Sequence, residues 1–284
     1  MIVVTGATGK LGRLVIAGLL EKVPAAQVVA AVRSPEKAQD LAAMGVQVRQ
    51  ADYTQPETLR SAFAGADKAL LISGNEINQR VAQHQAVIEA AKSAGVTLLA
   101  YTSILRADSS TLALVPEHKA TEENIRASGL PYVFLRDGWY FENQTDQLGP
   151  AVQHGAMIGS AGEGRFASAA RSDYAAAAVA VLTEAGHENK IYELVGDVPY
   201  TLSELAAEVS KQAGKRVSYT NLPPKDYENA LVSFGLPVFM AELLVDAEMG
   251  AARGELDSTS RDLHTLIGRS TVTLADAVAA ALKS

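Results

Sequence analysis

Short apolar runs and helical patterns alternate through the first half of the chain. The runs are Ile2 to Val4, Val28 to Val32, Val46 to Val48, Ala69 to Ile72, Leu98 to Tyr101 and Tyr132 to Leu135. Most of them show no alternation of apolar and polar residues, which is typical of parallel strands covered on both faces. The pattern therefore predicts an α/β fold: a Rossmann-like, doubly wound parallel sheet with right-handed crossovers.

Helices are predicted between these strands from apolar spacing and from the residues that begin or end them. One apolar stripe at helical spacing consists of Leu11, Val15, Ile16, Leu19 and Leu20. Ser34-Pro35 opens a second helix, because proline is tolerated at the first helical position. Two more helices, over residues 83–94 and about 117–128, are each followed by a glycine.

The alternation weakens beyond residue 145, where we predict a small C-terminal α/β lobe. Its predicted elements are a strand at Tyr192 to Val195, a helix behind the capping-box spacing of Thr201 and Glu204, a strand at Val217 to Thr220, and a helix at Leu274 to Leu282 behind a second such spacing at Thr273 to Asp276. We expect residues 1–145 to form one domain and residues 146–284 the lobe, with some segments of the lobe returning to the sheet.

Composition narrows the classes of function. The chain has 284 residues, a formal net charge of −7 and no cysteine. An acidic chain lacks the basic face that nucleic acid needs, so no nucleic-acid partner is expected. The absence of cysteine excludes disulfides and zinc–thiolate sites and suits the cytoplasm. No apolar stretch approaches the ~20 residues that span a bilayer, so membrane insertion is not expected, and the first apolar run is too short for a signal peptide.

The sequence contains no motif typical of a metal site or of a serine hydrolase. The five histidines are scattered, without a His-Glu-x-x-His spacing, so no metal site is expected. There is also no Gly-x-Ser-x-Gly elbow.

A glycine-rich segment, Gly6-Ala7-Thr8-Gly9-Lys10-Leu11-Gly12, directly follows the first strand and opens the first helix. In a dinucleotide site Gly6 would allow the sharp turn, Gly9 the approach of the backbone to a pyrophosphate, and Gly12 close packing of helix and strand. The helix N-terminus offers free N–H groups and a partial positive charge to the phosphates. The alternative is a plain glycine-rich turn, but the strand–loop–helix context favours a dinucleotide.

Arg33 indicates which dinucleotide is bound. NAD sites usually place an acid at the end of the second strand, whereas here Arg33 follows Val32. A guanidinium suits a 2′-phosphate, a contact worth about 1.5–3 kcal/mol, and Lys10 adds positive charge. We therefore expect NADPH as the cofactor and residues 1–145 as the NADP-binding domain. The alternative is that Arg33 is an ordinary solvated charge.

Further cofactor contacts are expected where other strands end at the same edge of the sheet. The predicted residues are Asp52, Tyr53, Ser73, Gly74, Ile77, Asn78, Gln79, Gln83 and Thr102. For Asp52, a contact to the adenine amino group and a role as a turn acid are equally supported by its position.

The Gly-x-x-Gly-x-x-Gly spacing of Gly6, Gly9 and Gly12 resembles that of the short-chain dehydrogenase superfamily in its extended and atypical branches. Most members of that superfamily carry a catalytic Tyr-x-x-x-Lys pair, which is missing here. None of the nine tyrosines has lysine four residues later. Thr102-Ser103 occupies the position of that superfamily's serine, and the next helix carries His118, Lys119 and Glu122. The i, i+4 spacing of His118 and Glu122 favours a solvated ion pair over a part in catalysis.

The missing pair has a chemical consequence for the substrate. Hydride reduction of a ketone gives an alkoxide whose conjugate acid has a pKa near that of water, about 15.7, whereas a reduced quinone is phenolate-like, with a pKa of about 10. That difference of roughly 6 units is about 8 kcal/mol. A quinone, or another delocalised electrophile, therefore accepts a hydride without a dedicated acid.

The chain resembles the NmrA-like group of atypical short-chain dehydrogenases over nearly its whole length, and in particular the bacterial NADPH-dependent quinone reductases that are related to triphenylmethane reductases. The matching stretches are VTGATGKLG, VRQADY ending at Tyr53, AYTS ending at Ser103, LRDGWYFEN ending at Asn143, GHENKIYEL ending at Leu194, and the closing lobe. The family pattern usually has asparagine in place of Asp137 and glutamine in place of Lys10.

The resemblance implies that residues 136–143 form the nicotinamide and substrate wall. Within it, Trp139 and Tyr140 offer flat faces, Asn143 offers a donor, and Asp137 and Gly138 contact the cofactor. The residues alone equally support Trp139 and Tyr140 as core aromatics. Arg171 is expected either to close the pocket from the lobe or, with more support, to begin a helix.

The implied activity is NADPH-dependent reduction of a small-molecule quinone by direct hydride transfer in the cytoplasm, by a monomer or weak homo-oligomer. Two alternatives stay open at this point. One is a non-catalytic NADP-binding redox sensor of the NmrA type, and the other is a reductase of other delocalised electrophiles such as triphenylmethane dyes.

Overall fold

The computed structural model describes residues 1–283. Its strands, in chain order, are β1 (Ile2–Thr5), β2 (Val28–Val32), β3 (Gln47–Gln50), β4 (Lys68–Leu71), β5 (Leu98–Ile104), β6 (Tyr132–Asp137), β7 (Ala156–Gly159), β8 (Arg165–Phe166), β9 (Lys190–Leu194), β10 (Tyr200–Thr201) and β11 (Ser218–Asn221). Seven of these form one parallel sheet in the order β3-β2-β1-β4-β5-β6-β9. The order reverses between β1 and β4, the point at which open α/β sheets bind ligands.

Helices cover both faces of this sheet and build the lobe. They are α1 (Lys10–Leu20), α2 (Gln39–Ala43), α3 (Pro56–Phe63), α4 (Arg80–Ser93), α5 (Val115–Ser128), α6 (Glu142–Thr145), α7 (Leu148–His154), α8 (Arg171–Thr183), α9 (Leu202–Ala213), α10 (Pro224–Ser233), α11 (Val238–Ala252), α12 (Asp262–Ile267) and α13 (Leu274–Ala281). Short 3₁₀ turns occupy Ala25–Gln27 and Pro35–Ala38, so the helix predicted after Ser34 begins as a 3₁₀ turn.

The sheet separates two apolar cores. On one face α1 and α8 pack against alternate strand residues, Val4, Val28 and Leu70 among them. On the other face α3, α4 and α5 pack against the intervening residues, such as Val3 and Leu99. Because both faces are covered, strand residues are apolar in succession, and the predicted fold class, a Rossmann-like parallel sheet, is confirmed.

Three segments beyond residue 145 return to this sheet: α8 packs on α1, β9 pairs with β6, and α12 packs on α8 and β9 with Leu263 buried in the first core. The remaining segments build the lobe around a third core that includes Phe166, Tyr200 and Leu205. There β7 pairs with β11 and β8 with β10. How the chain divides into domains near residue 145 stays a prediction.

The first predicted capping box is present and the second is half formed. The Thr201 hydroxyl accepts from the Glu204 N–H (3.1 Å) while the Glu204 carboxylate accepts from the Thr201 N–H (2.7 Å). At the start of α13 the Thr273 hydroxyl accepts from the Asp276 N–H, but the Asp276 carboxylate bonds to that hydroxyl instead of the backbone. Aspartate is one methylene shorter than glutamate, which accounts for the difference.

Within residues 1–283, no helix combines the length and the apolar character needed to cross a bilayer.

Candidate functional site

The glycine-rich loop between β1 and α1 forms a tight cradle. Gly6 has a positive φ of 60°, and its carbonyl accepts the Gly9 N–H at 2.9 Å. A Cβ on Gly12 would lie 2.5 Å from the Gly6 oxygen and 2.7 Å from the Ala7 Cα, so only glycine fits there. Helix α1 begins at Lys10 without a side-chain cap or an acid in its first turn, which leaves its N–H groups and partial positive charge for phosphate oxygens. These features fit a dinucleotide.

Arg33 lies at the end of β2 and points to the loop that follows β4. Its side chain is 72% exposed, and one guanidinium nitrogen lies 3.1 Å from a carboxylate oxygen of Glu76. The other oxygen of Glu76 accepts from the Gln83 amide at 2.7 Å. Glu76, which no sequence motif marks, therefore links two of the predicted cofactor residues, Arg33 and Gln83.

Lys10 forms a second exposed ion pair, 2.9 Å from Asp146 at the end of α6. The two residues line a cleft of about 770 Å³ between the glycine-rich loop and the lobe, together with Phe141, Glu142 and Ala170. Within the described part of the chain the lining does not include Trp139, Tyr140 or Asn143.

Asp52 behaves as a turn acid. Its carboxylate accepts from the Thr54 N–H and hydroxyl, at 2.9 and 2.8 Å, and from the Gln55 amide, at 3.1 Å. The bonds from Thr54 hold the pKa of Asp52 below its ordinary value. Next to it, burial raises the pKa of Tyr53 to about 12, and the Tyr53 ring meets His84 edge-on at 6.5 Å. An adenine contact of Asp52 stays a prediction.

The loop of residues 73–79 is held from below by hydrogen bonds to α4 and β5. The Ser73 N–H donates to the Thr102 hydroxyl at 2.9 Å, and the Gly74 N–H donates to His84 Nε2 at 3.1 Å. His84 is fully buried, and burial lowers its pKa to about 3, so it is the neutral acceptor that this bond requires.

A buried ion pair completes the support of this loop. Arg80 donates to the Gly74 carbonyl at 2.8 Å and pairs with Glu117 at 2.9 Å, and Glu117 also accepts the Asn78 N–H at 2.7 Å. Asn78 has a positive φ of 68°. Ile77 is half-buried, whereas Asn78 and Gln79 are exposed, so their side chains face away from the core. No sequence motif marks Arg80, His84 or Glu117. Arg80 and Glu117 are 37 positions apart and come together only in the folded chain.

The expectation of a solvated ion pair between His118 and Glu122 is wrong. Both side chains are buried, and His118 Nδ1 lies 2.8 Å from the Tyr101 hydroxyl. Burial lowers the pKa of His118 to about 3, so it is neutral. Glu122 instead accepts from the Ser103 hydroxyl at 2.7 Å and pairs with Arg136 at 2.8 Å. Helical spacing placed the two residues on one face correctly, but that face is the one that packs on the sheet.

Ser103, at the position of the superfamily's catalytic serine, thus has its hydroxyl committed to Glu122. Lys119 is exposed.

The segment after β6 turns back over the sheet edge. The Tyr140 hydroxyl donates to Asp137 at 3.0 Å, its ring lies 4.9 Å from that of Tyr174, and the Arg171 guanidinium stacks 5.2 Å above it. Arg171 also begins α8, so the favoured expectation for this residue holds while its side chain still reaches the wall segment. The Gly138 N–H donates to the Leu194 carbonyl at 2.9 Å, which ties this segment to β9.

The predicted wall residues are not equivalent in the structure. Trp139 packs 6.3 Å from Phe166 in the lobe core, and its Nε1 is buried without a partner among residues 1–283. This environment favours the core alternative for Trp139. Asn143 is exposed in the first turn of α6. Their part in a substrate wall stays a prediction.

A phosphate cradle at the switch point of a doubly wound parallel sheet defines a dinucleotide-binding protein of the Rossmann class. The chain belongs to the NAD(P)H-binding family, whose model matches residues 6–185.

Close relatives refine this assignment. Quinone oxidoreductase 2 of Escherichia coli (strain K12) is 53% identical over 278 residues, which cover 98% of this chain and 97% of that protein. The crystal structure of the NADPH-dependent quinone oxidoreductase from Escherichia coli, complexed with NADPH, has a TM-score of 0.97 at 52% identity, covering 99% of this chain and 100% of that one. Triphenylmethane reductase from Citrobacter sp., complexed with NADP(H), has a TM-score of 0.96 at 44% identity, covering 99% and 100%. The family resemblance drawn from the motifs is confirmed.

Proposed function

We propose that this chain is an enzyme that reduces quinones with NADPH by direct hydride transfer, acting in the cytoplasm as a monomer or weak homo-oligomer. The observation that carries the proposal is the 53% identity to a quinone oxidoreductase along 98% of this chain. The glycine cradle and Arg33 supply the chemistry that an NADPH site needs.

Different residues at the carboxyl edge of the parallel sheet would bind different parts of NADPH. The N–H groups of residues 10–12, at the start of α1, would hold the pyrophosphate, and Arg33 the 2′-phosphate. The loop of residues 73–79, fixed by Arg80 and Glu117, would position the nicotinamide half. When bound, the cofactor supplies a hydride to an acceptor held next to it.

The chain contributes orientation more than acid catalysis to this reaction. Ser103 and His118, which lie where a proton-donating dyad is usually anchored, are buried and engaged with Glu122 and Tyr101. A quinone suits such a site, because its reduced form is a weakly basic phenolate. Holding donor and acceptor in line then supplies most of the rate enhancement.

The test is oxidation of NADPH, followed by its absorbance, with a simple benzoquinone. We expect turnover well above the uncatalysed rate, and a rate with NADPH higher than with NADH. Turnover no faster than the background would refute the enzyme and leave a non-catalytic NADP-binding sensor.

A second candidate substrate class is cationic triphenylmethane dyes, which is favoured by the 44% identity to a triphenylmethane reductase. Such a dye also accepts a hydride without a proton donor. Loss of dye colour in the presence of NADPH and the protein would support this activity, and comparison of kcat/KM for dye and quinone would rank the two.

A further inference from the structure

An ion pair joins the glycine-rich loop to the lobe. Lys10 is the first residue of α1, directly after Gly9, and its Nζ lies 2.9 Å from a carboxylate oxygen of Asp146, the residue that follows α6. The two side chains are 71% and 47% exposed, and both line the cleft of about 770 Å³. The pair therefore connects the two sides of this cleft, next to the helix end that suits a pyrophosphate.

The segment that carries Asp146 is firmly attached to the lobe. The Asp146 N–H donates to the Glu142 carbonyl at 3.1 Å, and the Glu142 carboxylate accepts the N–H of Arg171, the first residue of α8, at 2.9 Å. Thr145 and Leu148, on either side of the acid, are both buried. Asp146 is therefore the fixed member of the pair.

Lys10 is the movable member. Its side chain is a flexible four-carbon stem that ends in an ammonium group with three N–H donors. The bond to Asp146 uses one of these donors, so two are left for other acceptors. Pyrophosphate oxygens held at the N-terminus of α1 are acceptors of the opposite charge. One ammonium group can thus bind the lobe and the cofactor at the same time.

We propose that Lys10 and Asp146 form a strap, an ion pair that ties the lobe to the glycine-rich loop beside the bound pyrophosphate and slows the release of the cofactor. Lys10 contacts the cofactor, and Asp146 is a positioning residue that acts through Lys10. The inference rests on the NADPH binding of the proposed function and not on the identity of the substrate.

The charges that line the cleft allow the role of Asp146 to be separated from simple repulsion. Within the described part of the chain, Lys10 is the only lysine or arginine in this lining. The other two carboxylates there have their own partners, since Glu142 accepts the Arg171 N–H and Asp276 bonds to the Thr273 hydroxyl. If Asp146 acted only as a negative charge near the pyrophosphate, its removal would slow release, whereas loss of a strap speeds it.

The experiment measures the release of NADPH into excess NADP⁺ by stopped flow, from the change in nicotinamide emission and without quinone. It compares Asp146→Asn, Lys10→Gln and the double variant with Asp146→Glu, which keeps the charge. Lys225→Gln is the matched control, because Lys225 is 70% exposed and pairs with Glu228 at 2.6 Å on α10, which does not contribute to the described lining of the cleft.

Moderate effects are expected because exposed ion pairs are weak. Asp146→Asn should raise the rate constant of release about three- to fivefold, and Lys10→Gln about tenfold, since the latter also removes the contact to the pyrophosphate. The double variant should release NADPH no faster than Lys10→Gln alone, because Asp146 acts through Lys10. Asp146→Glu and Lys225→Gln should stay within about twofold of the unmodified protein.

Ionic strength gives a second readout. The Debye length falls from about 10 Å at 0.1 M salt to about 3 Å at 1 M, so added salt weakens an exposed ion pair. The difference in release rate between Asp146→Asn and the unmodified protein should therefore shrink at high salt. A difference that salt leaves unchanged would contradict an electrostatic strap.

The remaining outcomes separate the strap from the proposed function. Slower release by Asp146→Asn would show that this acid competes with the pyrophosphate for Lys10, and an unchanged rate would show that the pair has no effect on the cofactor. Either result would overturn the strap and leave NADPH binding and quinone reduction intact. An unmodified protein that does not bind NADPH would overturn the proposed function and the strap with it.

Discussion

Replacing Arg33 by alanine tests the part of the site that would distinguish NADPH from NADH. The guanidinium is 72% exposed and lies 3.1 Å from Glu76, which is 44% exposed. Solvent screens this ion pair, so it contributes at most about 1 kcal/mol. Its loss should leave the free energy of unfolding nearly unchanged, and any large effect of Arg33→Ala should come from the cofactor.

The expected magnitude follows from the charge on the cofactor. A charge-assisted hydrogen bond to a 2′-phosphate is worth about 1.5–3 kcal/mol, so Arg33→Ala should raise the Kd for NADPH by roughly 10- to 100-fold. NADH lacks that phosphate, and its Kd should change less than about twofold.

Glu76 supplies a test in the opposite direction. A bound 2′-phosphate must take Arg33 away from the Glu76 carboxylate, which also repels the phosphate. Glu76→Gln removes the competing charge, and we expect NADPH affinity to rise by up to about fivefold, the equivalent of at most about 1 kcal/mol.

Calorimetric titration of each variant with NADPH and with NADH measures both effects, with Arg60→Ala, an exposed arginine on α3, as the matched control. Equal losses for the two cofactors would refute the assignment of Arg33 to the 2′-phosphate. Weaker NADPH binding by Glu76→Gln would show that Glu76 positions Arg33 instead of competing for it.

Three further predictions concern the framework of the site. Glu122→Gln leaves a buried guanidinium without a main counterion and should lower the free energy of unfolding by about 3–5 kcal/mol in urea titrations; a loss under 1 kcal/mol would contradict this. His84 and His118 have pKa values of about 3 in the folded protein against about 6.5 in the unfolded chain. The free energy of unfolding should therefore be constant above pH 6.5 and fall below it, by about 2 kcal/mol for each histidine at pH 5. Equal urea midpoints at pH 5 and pH 8 would refute their buried neutral state. Gly12→Ala should abolish measurable NADPH binding because its Cβ would lie 2.5 Å from a loop carbonyl oxygen, whereas Gly149→Ala, in open space on α7, should bind normally; normal binding by Gly12→Ala would refute the cradle.

The strands of the sheet were predicted to within three residues at each end, and β2 at both ends without error, because most of these strands are buried and continuously apolar. Helix α3 was not predicted, since only Leu59, Ala62 and Phe63 are buried along its eight residues. The error at His118 and Glu122 has a related origin: spacing shows that two residues share a helix face, but not whether that face meets water or the sheet.

The amino-acid sequence by itself determined the fold class, the glycine cradle and the absence of a Tyr-x-x-x-Lys pair, because each depends on residues within a few positions of one another. The tertiary structure decided the state of the site's charged and titratable groups. Arg33 meets Glu76 across 43 positions, and Lys10 meets Asp146 across 136. Burial at the end of β6 raises the pKa of Asp137 to about 8, and one of its carboxyl oxygens has no partner within residues 1–283. The free energy of a charge depends on the solvent and counterions around it, and folding alone brings those together.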